Sequence, residues 1–305
     1  MRLLLVTLNL FLIAAMPLWG DQAGYVNLAR QGWNYKLRTT MVGRDLTIPV
    51  HINGRSLAGA SLCIVGDIPH PQSLEVIDAF RKLIGHTYAK TLTMRYAGDT
   101  AAKCGASRTV ILRLYSGFPP NAGLSADLAW MNAVYQLGLP KRRFFTATSP
   151  AMGQTFFGRR GQGTHIMVKQ PAHQRTSKLE AAFYRSILIE ELFQSFTFGM
   201  DILLFDRNAV FTSKLQETPL NLHRLSWESK DFMRALLNSN PGGLCLFDVF
   251  MLHAVARAPV EQTVEAGFIT YIDQEYDTLL AMAQKTVGDP AYAPLIAQSC
   301  ERAAL

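Results

Sequence analysis

The sequence predicts an α+β fold: a small mixed sheet with helices in the N-terminal part, and a helical C-terminal half. Three observations carry this. Before Lys169 short runs of strand length are interspersed with two helical patterns, whereas from Lys178 onward the apolar residues recur with helical spacing over longer segments. Strands first and helices afterwards is the α+β arrangement. With 305 residues, 49% hydrophobic and 17% charged, the chain can bury a sizeable core, which excludes an extended, highly charged disordered protein. Its 22 Gly and 14 Pro show no repeat, which excludes a collagen-like or linker-dominated chain.

The elements follow in order. Residues 1–20 read as a signal peptide: Arg2 supplies a minimal positive start, an apolar run follows, Pro17 breaks it, and Gly20 offers a small residue before a cut at Asp21. The competing reading, a retained anchor, needs about 20 consecutive apolar residues, and Asn9 and Pro17 interrupt this run. Residues 21–43 are mixed and polar and read as an irregular arm. Leu46, Ile48, Val50 and Ile52 alternate with polar residues as an edge strand would, with Pro49 on the edge and Asn53-Gly54 as its turn. A helix capped by Ser73 carries Val76, Ile77, Phe80, Leu83 and Ile84 and stops at Gly85. Thr109 to Tyr115 is a strand, Ser125 to Tyr135 a helix, and Phe144 to Thr148 and Thr164 to Lys169 are further strands. Helices are expected over 178–197, 226–237, 244–255 and 261–285, with Asn240-Pro241-Gly242-Gly243 as a break.

The four cysteines, Cys63, Cys104, Cys245 and Cys300, contain no C-x-x-C pair, which argues against a zinc ribbon or a thioredoxin-type site. An exported chain meets an oxidising compartment, where disulfides persist. Of the three possible pairings, Cys63–Cys104 with Cys245–Cys300 is preferred because each pair joins residues of one half of the chain; the alternative is buried free thiols.

The formal charge of +7 is not spread evenly. Between Asp127 and Glu180 there is no acidic residue, while Lys141, Arg142, Arg143, Arg159, Arg160, Lys169, Arg175 and Lys178 lie there. Arg142, Arg143, Arg159 and Arg160 are therefore anion-binding candidates. Phe144-Phe145 and Phe156-Phe157 beside the arginines resemble a single-strand nucleic-acid groove, but export makes nucleic acid a poor partner and an anionic envelope polymer a better one. The plainer alternative is a solvated basic face. Gly158, Gly161 and Gly163 suggest a mobile loop; no Lys-Ser/Thr follows to complete a phosphate loop.

The chemistry-bearing candidate is the helix segment Ile189-Glu190-Glu191-Leu192-Phe193-Gln194-Ser195. At about 100° per residue, Leu179, Ala182, Phe183, Ile187 and Phe193 share an apolar arc that also contains Glu190 and Gln194. Polar groups on a buried face cost roughly 1–3 kcal/mol each unless partnered, so a network, a ligand or an open cleft is expected there. Zinc peptidases of the zincin type use H-E-x-x-H, with two imidazoles one turn apart and the intervening Glu as base. Here Glu190 and Gln194 take the histidine positions and Glu191 the base position. No two of the seven His residues are spaced three or four apart, so no alternative helical ligand pair exists; no metal site and no cofactor are expected. His223 and His253 lie downstream; His253, in an apolar helix, reads as a packed core histidine.

Glu190-Glu191-Leu192-Phe193-Gln194-Ser195, followed by Gly199 and Asp201, resembles the hallmark of an exported bacterial family catalogued as domain of unknown function 2927. The resemblance is best over residues 180–215 and looser from about 45 to 240; it departs at Phe196-Thr197-Phe198-Gly199, where the family has Leu-Gly-Leu. It implies a degenerate, zincin-like domain, placed here at 44–258 with a helical extension at 259–305, and no established activity. Glu190, Gln194 and Asp201 would line the site, with Glu191 as the one catalytic candidate. Three functions are expected to compete: a non-catalytic module that binds another exported protein, a hydrolase with Glu191 as general base, and an envelope-associated protein docking through 141–178. None is an integral membrane protein once the signal is removed.

Overall fold

In the computed structural model the described residues are 22–36, 47–48, 50–206, 208–222, 224–297 and 300. The expected signal peptide, its expected cleavage site and His223 lie outside them. Strands buried on both faces read as continuous apolar runs, and two such runs centre the sheet. These are β1 (Ser61–Gly66), with Leu62-Cys63-Ile64-Val65 buried, and β3 (Thr109–Tyr115), buried throughout. With β2 (Thr93–Tyr96), β4 (Ala151–Gly158) and β5 (Gly161–Lys169) they form a mixed sheet of order β2-β1-β3-β5-β4. All neighbours are parallel except β4, which runs antiparallel to β5 and forms one edge. Leu62 pairs with Val110, Leu112 with Ile166, and Gln154 with His165.

Alternation along the strands separates two layers. Leu62, Ile64, Val110, Leu112, Ile166 and Val168 face the larger core, shared with helices α2 (Pro71–Tyr88) and α4 (Lys178–Thr197). Cys63, Val65, Ile111 and Met167 face α3 (Asn121–Tyr135), which contributes Leu124, Leu128, Met131 and Tyr135. The C-terminal helices are α5 (Lys230–Ser239), α6 (Leu246–Arg257), α7 (Ala266–Gln274) and α8 (Tyr276–Val287). Phe247, Phe250, Phe268, Ile272 and Leu279 of these helices join the same core as α4. The overall class is thus mixed α/β, with eight helices and the five-stranded sheet among the described residues.

Several elements differ from expectation, each for a physical reason. The arm is partly helical: α1 (Gln22–Trp33) is held because Trp33 is fully buried and donates from Nε1 to Thr197 O at 2.8 Å. Tyr25 adds edge contacts with Phe247 and Phe250. The described residues among 46–52 form no strand, although Ile48 and Ile52 are buried. α2 begins at Pro71, a favoured first helical residue, and runs through Gly85 to Tyr88 because Leu83, Ile84 and Tyr88 are buried together. α3 starts before Ser125, whose Oγ instead donates to Phe145 O and accepts from Phe145 N. That loop carries residues 144–148, which form no strand. The expected helix over 261–285 is two, meeting at Glu275.

The supposed mobile loop is the β4–β5 hairpin, turning at Arg159-Arg160. Its glycines serve close packing on α3: a Cβ on Gly158 would lie 2.1 Å from Tyr135 O, and one on Gly163 2.7 Å from the Met131 and Tyr135 side chains. Cys63–Cys104 and Cys245–Cys300 form the two disulfides, in the preferred pairing. No helix among the described residues is long and apolar enough to cross a membrane.

Candidate functional site

Helix α4 is the axis of the site. Ser177 Oγ accepts from Glu180 N at 3.2 Å and the Glu180 carboxylate accepts from Ser177 N at 2.9 Å, a reciprocal cap that fixes its start. The helix packs against α2, α5, β4 and β5. Its single apolar arc is a misreading, because Ala182 is exposed whereas Leu188, Leu192 and Phe196 are buried alongside Phe183, Ile187 and Phe193. A helix enclosed on nearly every side needs apolar residues all round. The gap in that enclosure is where Glu190, Glu191 and Gln194 stand, each half-buried, along one wall of a cleft of about 840 Å³.

Other elements bring the opposing groups. The short parallel pair β6 (Ile202–Leu203) and β7 (Gln216–Glu217) places Asp201 and Glu217 at the cleft. Between these strands lies Lys214, fully buried, which sequence reasoning missed. Its loop is held by Asp248 of α6, which accepts from Ser213 Oγ at 2.6 Å, from Lys214 N at 2.7 Å and from Cys245 N at 2.7 Å. The ammonium donates to Ser186 Oγ at 2.9 Å, Pro241 O at 2.8 Å and Asn240 Oδ1 at 3.1 Å, and pairs with Glu190 Oε2 at 3.1 Å. Asn240 Nδ2 donates to both Glu190 oxygens, at 3.1 and 3.0 Å. The Asn-Pro-Gly-Gly break is therefore part of the site. Nothing in its turn chemistry marks it as such.

Gln194 Nε2 donates to Asp201 Oδ1. Glu191 differs from its neighbours: its carboxylate receives no hydrogen bond among the described residues. Edge strand β4 covers it at Gly153, where a Cβ would come within 2.7 Å of Glu191 Oε2 and 2.9 Å of Ser195 Oγ. The rest of the cleft lining is largely apolar and includes Leu220, Leu222, Leu225, Trp227, Phe232 and Leu236.

Four carboxylates thus line the cleft, and one fixed ammonium, in contact with Glu190, lies beside them. Burial pushes the Glu191 carboxyl well above the usual carboxylate range, with the charges of Glu190 and Asp201 adding to it and Lys214 opposing. Burial and Glu190 push Asp201 up to about 6, against its hydrogen bond from Gln194. Glu217 is pushed up to about 7 by burial, Asp201 and Glu190. Among the described residues no three His, Cys, Asp or Glu side chains are grouped to hold a metal ion.

The remaining candidates lie elsewhere. His253 is a core histidine: its Nε2 lies 2.9 Å from Thr286 Oγ1, and burial pushes it down to about 4. Arg142, Arg143, Arg159 and Arg160 are all exposed, but they do not share one cavity. Arg159 and Arg160 line a hollow of about 670 Å³ with Arg108 and His51, whereas Arg143 lies over the Phe145 ring and lines a smaller one of about 230 Å³. Lys169 is buried, donating to Gly117 O at 2.6 Å and pairing with Glu228 at 3.0 Å, so the basic stretch is not one solvated face.

The fold and site define a mixed α/β protein with an acidic cleft built on one buried helix. Comparison with family models, curated proteins and solved structures finds no significant match.

Proposed function

We propose that the protein is an exported, non-catalytic binding module on a zincin-like scaffold, and that the cleft beside α4 is its ligand site. The observation that carries this reading is the occupation of both helix positions that would hold metal-binding histidines. Glu190 is tied to Lys214 and Asn240, and Gln194 to Asp201. A buried ammonium 3.1 Å from Glu190 supplies the positive charge where a metal ligand would need a metal. The cleft beside them nevertheless stays open and large enough for a ligand. Two disulfides suit an oxidising compartment and so support export.

One observation favours a second reading, a hydrolase. A carboxyl raised well above its ordinary range and lining a cleft suits a general acid or base, and Glu191 has that character. Metal analysis of protein purified without chelators, together with hydrolase assays of wild type and Glu191→Gln, tests both. The binding reading expects substoichiometric metal and no turnover. Stoichiometric zinc, or turnover abolished by Glu191→Gln, overturns it.

A further inference from the structure

The charge and shape of the cleft say what kind of ligand it suits, given that it is a ligand site. Glu190 is satisfied by Lys214 and Asn240. Glu191 is not satisfied: it lies half-buried beneath Gly153 with no hydrogen-bond donor among the described residues, and it lines the cleft. Asp201 and Glu217 stand at the same cleft, with Gln194 as the donor to Asp201. An excess of carboxylates in a confined space is relieved by a cation. No three of these groups are placed to hold a metal ion, so an ammonium or guanidinium with several donors fits them better than a bare ion. The same cleft also has apolar lining: Leu222, Leu225 and Trp227 stand in it with the acids. Leu225, 36% exposed, is open enough to be covered by a ligand.

We propose that the cleft takes a lysine- or arginine-bearing peptide segment of another protein. Its cationic head lies among Glu191, Asp201 and Glu217, and its flanking apolar residues lie on the Leu222, Leu225 and Trp227 wall. Charge complementarity selects this occupant. The long stem of either basic residue can also lie along apolar surface while its head reaches the carboxylates.

The test is calorimetric titration of the full chain with acetyl-Leu-Lys-Leu-amide, with the norleucine analogue that lacks only the amine, and with zinc chloride alone. The lysine peptide is expected to bind saturably. The norleucine peptide is expected to bind at least about tenfold more weakly, the loss of a charge-assisted contact. Asp201→Asn and Glu217→Gln should each weaken the lysine peptide while leaving the norleucine peptide unchanged. Leu225→Ser, a partly exposed wall position that leaves the acids intact, should weaken both peptides, and near-UV dichroism checks each variant's fold. Equal binding of the two peptides, or no binding of either, overturns the inference, as does zinc binding that displaces the lysine peptide. The parent binding reading falls on different evidence, stoichiometric metal as purified or turnover dependent on Glu191.

Discussion

Two clusters of buried charge lie on opposite faces of the same sheet, and they are built on different principles. On the α3 face, Asp127 accepts from Arg113 Nε at 2.6 Å and Nη2 at 2.8 Å, and its Oδ2 lies 3.0 Å from His165 Nε2. All three side chains are at most 4% exposed. Although burial alone would raise it, the hydrogen bonds from His165 and Arg113 hold the Asp127 carboxyl below the ordinary range. On the α4 face the acids outnumber the one ammonium, their pKa values are pushed up, and the cluster opens on a cleft. Balanced and sealed charge is what a structural network requires, whereas unbalanced and open charge is tolerable only where water or a ligand completes it. The second arrangement therefore carries the functional reading and the first does not.

The largest expected effect tests that division. Asp127→Ala leaves Arg113 buried without its partner and should cost about 3–5 kcal/mol, read as a lowered urea midpoint. Peptide binding by the fraction that remains folded should be unchanged. Coupled loss of binding affinity would show that the α3 face also shapes the site. A smaller loss is expected from Lys214→Met, about 1–3 kcal/mol. Glu190 keeps its contacts from Asn240 and is 16% exposed, so water can replace the ammonium there. Because Lys214 opposes the upward shift of Glu191, Asp201 and Glu217, all three should titrate higher in that variant, a change carboxylate NMR can follow. An unchanged titration would remove Lys214 from the site's electrostatics.

How far the sequence revealed these regions depended on whether local pattern and tertiary demand agreed. The limits of β3 and α4 were readable to the residue, β3 as a seven-residue run with only Arg113 charged and α4 as a long segment capped by Ser177. β1 was missed although it is buried on both faces as β3 is; without alternation only the length of the run marks such a strand, and its buried stretch, Leu62-Cys63-Ile64-Val65, is four residues against seven in β3. β4 was hidden by glycines that look like loop residues, although Gly153 and Gly158 make room for Glu191 and Tyr135. In the site, Glu190, Glu191 and Gln194 were legible because one helical turn sets their spacing. Lys214, Glu217 and Asn240 were not, because loops and Asp248 bring them together from distant, patternless stretches. Arg113 in an otherwise apolar strand was a usable signal of the second cluster: a charge at a buried position demands a partner.

The smallest effect is also the one that separates the two clusters by sign. Asp201 and Glu217 rise from ordinary values of 3.8 and 4.5 to about 6 and about 7. Between those limits the folded protein holds protons that the unfolded chain has lost, so these groups make stability fall as pH rises through that window. Asp127, with its pKa depressed below 3.8, acts oppositely: its contribution is present above that value and is lost as pH falls through its lower folded pKa. Asp248, raised to about 6, and His253, lowered to about 4, also titrate in this range with opposite slopes, so the wild-type curve alone does not isolate the cleft. Subtraction does. The double variant Asp201→Asn with Glu217→Gln should gain stability over wild type as pH is raised from about 4 to about 7, by on the order of 1 kcal/mol because both groups keep some solvent. Urea unfolding at several pH values across that span supplies the difference curve. A flat curve would mean that the cleft acids titrate as ordinary surface carboxylates, and the contrast between the two faces of the sheet would then rest on geometry alone.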